Sequence, residues 1–276
     1  MVFMIDLHCH SNFSDGLLPP HQLLEKANDA GVKILALTDH DTVEGCKLLR
    51  TLETSIRIIN GIELSVRWKK YDIHILGLNI DIDNEAITDL INQQSESRIL
   101  RARQIAECIE TLGIDDVFNK ACLLAGHNRI GRPHFAQLFV NEGKVKDMQS
   151  AFKRFLGRGK PAYVPTPWIS ITEAVEGINN AGGHAVIAHP LKYGLTNTRL
   201  NGLITEFKEA GGSGMEVVSG EMTQQEVDTL AGLCLRYELL ASTGSDYHGD
   251  KISRISLGRQ RKLPLNCTPV WHQWNI

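Results

Sequence analysis

His8 and His10 stand two residues apart in "IDLHCHSNFSDG", directly after a short apolar run, and Asp15 follows in the next turn. In an extended strand alternate side chains face the same way, so the two imidazoles project together and can share one metal ion. Imidazole nitrogen is a favoured ligand of zinc, manganese and iron. Cys9, between them, faces the other way and is expected to pack rather than ligate. A lone His-x-His pair is weak evidence, and residues farther along decide. His40 closes "KILALTDH", Glu63 lies in "RIINGIELS", His74 lies in "YDIHILGL", and His189 ends "HAVIAH". Asp246 and His248 close "LLASTGSDYH". Six of the 11 histidines, with Asp15, Glu63 and Asp246, thus fall at or near apolar stretches. Such a set exceeds the roughly four to six ligands that one ion takes, so two or three divalent ions are implied. Glu63 is a natural bridge, because a carboxylate can hold one ion on each oxygen. Clustered ions polarise a phosphoryl oxygen, lower the pKa of a bound water and stabilise the leaving oxygen. The chemistry expected is metal-assisted hydrolysis of a phosphate ester by a hydroxide generated at the metals. Manganese is the first choice of ion, with iron and zinc as alternatives.

Side chains so far apart in sequence need a scaffold that gathers them. Strands are expected near 3–8, 33–38, 57–63, 72–78, 184–188, 214–218 and 239–244, with helices between most of them. "PPHQLLEKANDAG" is one helix: Pro20 can start it, Leu23, Leu24 and Ala27 form an apolar stripe, and Gly31 can end it. Thr172 and Thr223 are expected N-caps of two others. Strands alternating with helices imply a parallel sheet, open or closed. In a closed α/β barrel the reactive residues gather at the C-terminal ends of the strands, where most of these ligand candidates lie. Asp39 and Asp41 flank His40, either as acceptors that orient imidazoles or as caps of the next helix.

The chain of 276 residues is 42% hydrophobic and 22% charged, enough for one large core plus a small appended unit. It has no apolar run of the length needed to span a membrane, and its start lacks the features of a signal peptide. Six scattered cysteines without a CxxC pair suit a reducing compartment, so a cytoplasmic location is expected, with no membrane; the sequence points to no particular protein partner. The net charge of -3 is unevenly spread: residues 98–160 hold 12 Lys and Arg against 6 Asp and Glu, the rest 17 against 26. This basic stretch falls between the fourth and fifth strands, where a connection normally takes about 2–6 residues. It reads as helices, giving a helical subdomain at 98–164 that covers the active site, inserted between barrel segments 1–97 and 165–276. In "HNRIGRPHFA", Pro133 suits the first turn of a helix, whose N-terminus offers N–H groups to a phosphate. Arg132 and His134, supported by Arg129, are the expected phosphate contacts. In "GRGKPAYVP", Lys160 could reach an anion and Tyr163 could stack on a base.

Together "DLHCHSNFSDG", "ALTDHDTVEG", "GIELS", "HILGL", "AHP" and "GSDYHG" resemble the polymerase-and-histidinol-phosphatase (PHP) family. The resemblance implies a distorted (β/α)7 barrel, the PHP fold, holding a trinuclear metal centre. Carried over by position, His8, His10, Glu63 and Asp246 would hold one metal. Glu63, His74 and His189 would hold a second, and Asp15, His40 and His248 a third. The insertion, with "IGRPH" and "GKPAYVP", is similar to the TrpH/YciV-like subfamily. That similarity implies action on nucleoside 3',5'-bisphosphates, giving the 5'-monophosphate and phosphate, and trimming of short RNAs from the 5' end, with a nucleotide or short RNA as substrate. The rivals are a phosphomonoesterase for a small substrate such as histidinol phosphate, a metal-dependent amidohydrolase, and a non-catalytic module. The basic insertion argues against the first, the Glu63 bridge against the second, and the full ligand set against the third.

Overall fold

The computed structural model describes residues 4–125 and 130–274. The chain divides into two compact units, one of Met1–Ile91 and Ile169–Ile276, the other of Asn92–Trp168. The boundaries lie outside the 98–164 read from pattern because one helix, Glu85–Glu110, runs without a break across the first of them.

The larger unit is a seven-stranded sheet whose neighbours follow chain order. The strands are β1 (Met4–Asp6), β2 (Val32–Leu37), β3 (Arg57–Trp68), β4 (Tyr71–Leu78), β5 (His184–Ile187), β6 (Gly214–Ser219) and β7 (Leu240–Gly244). The sheet curls back on itself: Leu7 N–H donates to Thr243 O at 3.0 Å and Asp246 N–H to His8 O at 2.8 Å, joining the last strand to the first. Outside it pack α1 (Pro20–Ala30), α2 (Glu44–Leu49) and, after α3 (Glu85–Glu110), the later helices α7 (Ile171–Asn180), α8 (Asn197–Glu209) and α9 (Gln224–Tyr237). α1 begins at Pro20 and ends at Gly31 with φ 81°, as the sequence implies. Thr223 caps α9, but Ser170, not Thr172, caps α7. Ser170 and Glu173 form a reciprocal capping box, which leaves Thr172 inside the first turn.

The expectation of a parallel sheet is corrected at β4, which pairs antiparallel with both β3 and β5. β3 does not stop near residue 63; it continues to Trp68 and turns straight back through Lys69, at φ 53°, into Tyr71. The reversal explains why His74 lies in the first half of its strand rather than at the end. In β4 that half lies beside the C-terminal half of β3, with His74 opposite Ser65.

Strand alternation splits the apolar residues between two cores. Leu35 and Leu37 join the core under the helices, whereas Ile34 and Ala36 join Leu7, Ile59, Leu76, Leu78 and Val186 in a second cluster, which Val270 and Trp274 also enter. Along that second face the residue type changes: Ile59 is followed in the same phase by Glu63, and Leu76 is preceded by His74. One end of the face is thus apolar and the other ionisable.

The smaller unit has its own core. α3 contributes Ala102, Ile105 and Ile109, α4 (Val117–Ala125) contributes Ala121, and α5 (Arg132–Asn141) contributes Phe135, Leu138 and Phe139. Phe139 stacks on Phe155 with centroids 4.5 Å apart, just after the short α6 (Met148–Ala151).

At the seam between β7 and β1, a Cβ on Gly244 would fall into the backbone and Cβ of His8. Gly244→Ala is therefore expected to destabilise the protein by about 1–3 kcal/mol, the usual range for overpacking, read as a lower urea midpoint. An unchanged midpoint would show that the seam is looser than described.

Candidate metal centre

The loops that carry the ligand candidates are held by buried carboxylates. Asp6 accepts the N–H groups of Ser245 and Gly258, both at 2.8 Å, and so ties the chain after β7 to β1. Asp39 grips the loop after His10 through Ser11 N–H at 2.7 Å, Ser11 Oγ at 2.6 Å and Ser14 Oγ at 2.7 Å. Asp41 accepts Ser65 N–H at 2.8 Å and Ser65 Oγ at 2.9 Å. Neither aspartate caps α2, whose N-cap is Val43; instead they hold the Ser11–Ser14 loop and Ser65 on either side of His40. Tyr193 accepts His74 N–H at 2.8 Å and donates to Ala188 O at 2.9 Å, fixing the backbone beside two histidines. His189 and Asp246 adopt φ of 27° and 51°, a region that non-glycine residues rarely occupy.

On this framework nine side chains converge. His8 Nε2 and His10 Nε2 are 3.1 Å apart. They lie 3.3 and 3.2 Å from Glu63 Oε2, and 3.4 and 3.5 Å from Asp246 Oδ1. On the other oxygen of Glu63, His74 Nδ1 and His189 Nε2 each lie at 3.0 Å, and they are 3.4 Å from one another. Asp15 meets His248 Nε2 at 3.3 Å, His10 Nδ1 at 3.6 Å and His40 Nε2 at 3.7 Å. His40 also approaches Glu63, its Nδ1 3.2 Å from Oε2. Cys9 is buried and turned away, its thiol donating to Ala36 O at 3.2 Å.

These separations suit cations better than hydrogen bonds. Metal–ligand bonds of about 2.0–2.2 Å place neighbouring donors roughly 3.0–3.5 Å apart. Glu63 Oε2 has three imidazole nitrogens within 3.3 Å yet makes a well-formed hydrogen bond to none. His189 Nδ1 is likewise buried without a hydrogen-bond partner. Two neutral imidazoles whose facing nitrogens are both unprotonated can share a cation through their lone pairs. The residues present therefore fit a set of divalent ions.

The electrostatics agree. Burial opposes ionisation of Glu63, but His40, His8, His74 and the nearby His10 prevail and hold its carboxyl well below the ordinary range. The Asp246 carboxyl is also well below it, burial being outweighed by His8, His10 and His189. At Asp15, burial is outweighed by the bond from His248 and the charges of His40 and His10, and the carboxyl is again depressed. Two buried carboxylates, Glu63 and Asp246, and the exposed Asp15 at the rim are thus held anionic among the imidazoles. Burial brings His40 down to about 3. His10 moves the opposite way: burial works against its charge, yet Asp246 and Glu63 raise it to about 10.

Residues 6–151 match the PHP domain family. The chain belongs to that family. A 5'-3' exoribonuclease from Haemophilus influenzae is 40% identical over 271 residues, which span 98% of each protein. A 3',5'-nucleoside bisphosphate phosphatase from Chromobacterium violaceum is 39% identical over 272 residues, 98% of this chain and 95% of that one. The solved structure of an amidohydrolase from Chromobacterium violaceum, with bound sulfate and no metal, matches at TM-score 0.84 and 38% identity, over 97% of this chain and 94% of that one. Candidate metal-binding clusters of the PHP barrel fall in four overlapping groups, and their ligand atoms lie within 4.8 Å of one another in each.

The substrate contacts expected from sequence lie in the smaller unit. Arg132 opens α5 behind Gly131, and His134 Nδ1 accepts the Gly131 N–H at 3.0 Å, so that ring nitrogen caps the helix. Lys160 is exposed and Tyr163 half-buried, with Tyr163 N–H donating to Lys160 O at 3.0 Å. Arg129 and His127 lie outside the described residues. Among the histidines given no role, His184 packs on Trp274 with ring centroids 5.8 Å apart, and the His272 ring reaches Pro269 O at 3.1 Å.

Two functional candidates were not read from sequence. Glu216, on β6, is fully buried and touches both His8 and His189. Lys192 follows His189 on a short 3₁₀ turn, and its ammonium donates to Asp246. An acidic residue inside the apolar run "GMEVVSG" was the available signal for the first. For the second it was a lysine directly downstream of "AHP".

Glu63→Gln is expected to remove most of the bound metal while keeping the far-ultraviolet dichroism of the wild type, with metal per chain read by mass spectrometry after dialysis. Acid should act in the same direction, because protons compete for the imidazole nitrogens. Metal held at about pH 7.5 should be released by about pH 5, and full retention at the lower pH would contradict histidine ligation.

Proposed function

We propose that this PHP protein is a metal-dependent phosphoesterase that hydrolyses nucleoside 3',5'-bisphosphates to the 5'-monophosphate and phosphate. The convergence of His8 and His10 on each other, on Glu63 and on Asp246 at 3.1–3.5 Å carries the reading. The residues that would hold the ions are His8, His10, Asp15, His40, Glu63, His74, His189, Asp246 and His248. Manganese is the proposed ion, since nitrogen and oxygen donors without a thiolate suit it. When bound, such ions supply Lewis acidity to a phosphoryl oxygen and to a water.

The chain's own residues do the rest. A cleft of about 480 Å³ opens beside Asp15, Asp246 and His248, lined also by Lys192, Ser245, Ser253 and Arg254. Lys192 brings a positive charge to the edge of the centre, where a phosphoryl oxygen would gain from it. Water's oxygen forms the new bond to phosphorus, the bond from phosphorus to the sugar O3' breaks, and O3' takes a proton. The same cut on an RNA releases a 5'-nucleotide and leaves a 5'-phosphate on the remainder, so one centre serves both substrates. In this reading Arg129, Arg132, His134 and Lys160 of the inserted unit hold the 5'-phosphate and Tyr163 stacks on the base. The names of the Haemophilus influenzae and Chromobacterium violaceum relatives support the two substrates.

Among the described residues no helix is long and apolar enough to cross a membrane, and all six cysteines are free. The free thiols support a cytoplasmic location.

Manganese-loaded protein is expected to release phosphate from 3',5'-bisphosphoadenosine and mononucleotides from a short 5'-phosphorylated RNA, read by chromatography. Reaction with neither would overturn the substrate class. Arg132→Ala should raise KM for the bisphosphate roughly 10- to 100-fold, the loss of a charge-assisted contact, with metal content intact. Loss of metal in that variant would contradict its role.

A further inference from the structure

We infer that Glu216 is a positioning residue that sets the tautomer of His8 and the backbone of His189, and through them two arms of the metal centre. The inference rests on the metal reading above. A neutral imidazole carries one N–H, so binding a cation through Nε2 requires the proton on Nδ1. His8 Nδ1 lies 2.9 Å from Glu216 Oε1, an oxygen that can only accept. His8 Nε2 is left facing His10 Nε2, Glu63 Oε2 and Asp246 Oδ1.

The second oxygen of Glu216 accepts the main-chain N–H of His189 at 2.6 Å. That residue holds a φ of 27°, so its backbone needs an external tether. The two imidazoles lie stacked, with centroids 5.6 Å apart and planes 26° from parallel. Glu216 is fully buried, so water does not replace either bond. One side chain on β6, outside the nine ligand candidates, therefore orients two of them.

Glutamine has the same shape but only one acceptor end. The His189 N–H is a fixed donor and takes the amide oxygen. The amide nitrogen then faces His8 Nδ1, which must give up its proton, and Nε2 carries that proton into the centre. Glu216→Gln thus keeps the packing and removes one lone pair from the metal.

The test uses zinc-loaded full-length protein, with zinc per chain, zinc affinity by chelator competition, and histidine ¹⁵N spectra. In the wild type, His8 should show a protonated Nδ1 and a metal-bound Nε2; a protonated Nε2 there would overturn the proposal whether or not any variant folds. Glu216→Gln should keep its fold, lose about 10- to 100-fold in zinc affinity, and move the His8 proton to Nε2. In a His8→Ala background the added Glu216→Gln should change zinc affinity less than about two-fold, since the residue it acts through is gone. Wild-type zinc affinity in Glu216→Gln, or an equal loss in the His8→Ala background, would overturn it. A wild-type protein that takes up no zinc would instead overturn the metal reading itself.

Discussion

One buried carboxylate surrounded by imidazoles sets the terms for the rest of the molecule. His8, His10 and His40 approach one oxygen of Glu63 at 3.2–3.3 Å, and His74 and His189 approach the other at 3.0 Å. Charged groups so far from water are stable only when paired. Hydrogen bonds do only part of the pairing: His189 Nε2 meets Glu63 Oε1 at 3.0 Å, but Oε2 has none of good geometry. Cations placed between the rings would neutralise the carboxylates and use the facing lone pairs. The barrel provides that arrangement by bringing the ends of strands that are distant in sequence around one strand, β3, which carries the hub.

A second layer of bonds holds such a cluster in place. Asp6, Asp39, Asp41 and Glu216 are all buried, and their partners are mainly backbone N–H and serine hydroxyl groups. Such bonds fix loops and ring orientations before any ligand arrives, the condition for a site with well-defined geometry. Strained backbone at His189 and Asp246 is the other side of that arrangement. Relief of that strain by a substitution elsewhere would loosen the donor set rather than improve it.

The ligand candidates were legible because their types are rare and their positions follow the ends of apolar runs. His8 and His10 could be paired from strand alternation alone. The pairing of β4 was not legible, because the hairpin at Trp68–Tyr71 turns through two lysines instead of the glycine or asparagine that marks most tight turns. Glu216 was missed because a carboxylate in an apolar strand gives no sign of which buried partner it meets; only the closed sheet brings it to His8. Ser170 caps α7 in place of Thr172 because Ser170 and Glu173 close a reciprocal capping box, a local signal at S-x-x-E spacing that outweighs the threonine inside the first turn. Local pattern thus gave the chemistry, and long-range contact gave its supports.

Anomalous diffraction from crystals of the manganese-loaded protein tests the central claim most directly. The expected result is one peak among His8 Nε2, His10 Nε2, Glu63 and Asp246, and a second among Glu63, His74 and His189, both within about 2.0–2.3 Å of a Glu63 oxygen. Ions bound elsewhere, with Glu63 touching none of them, would contradict it.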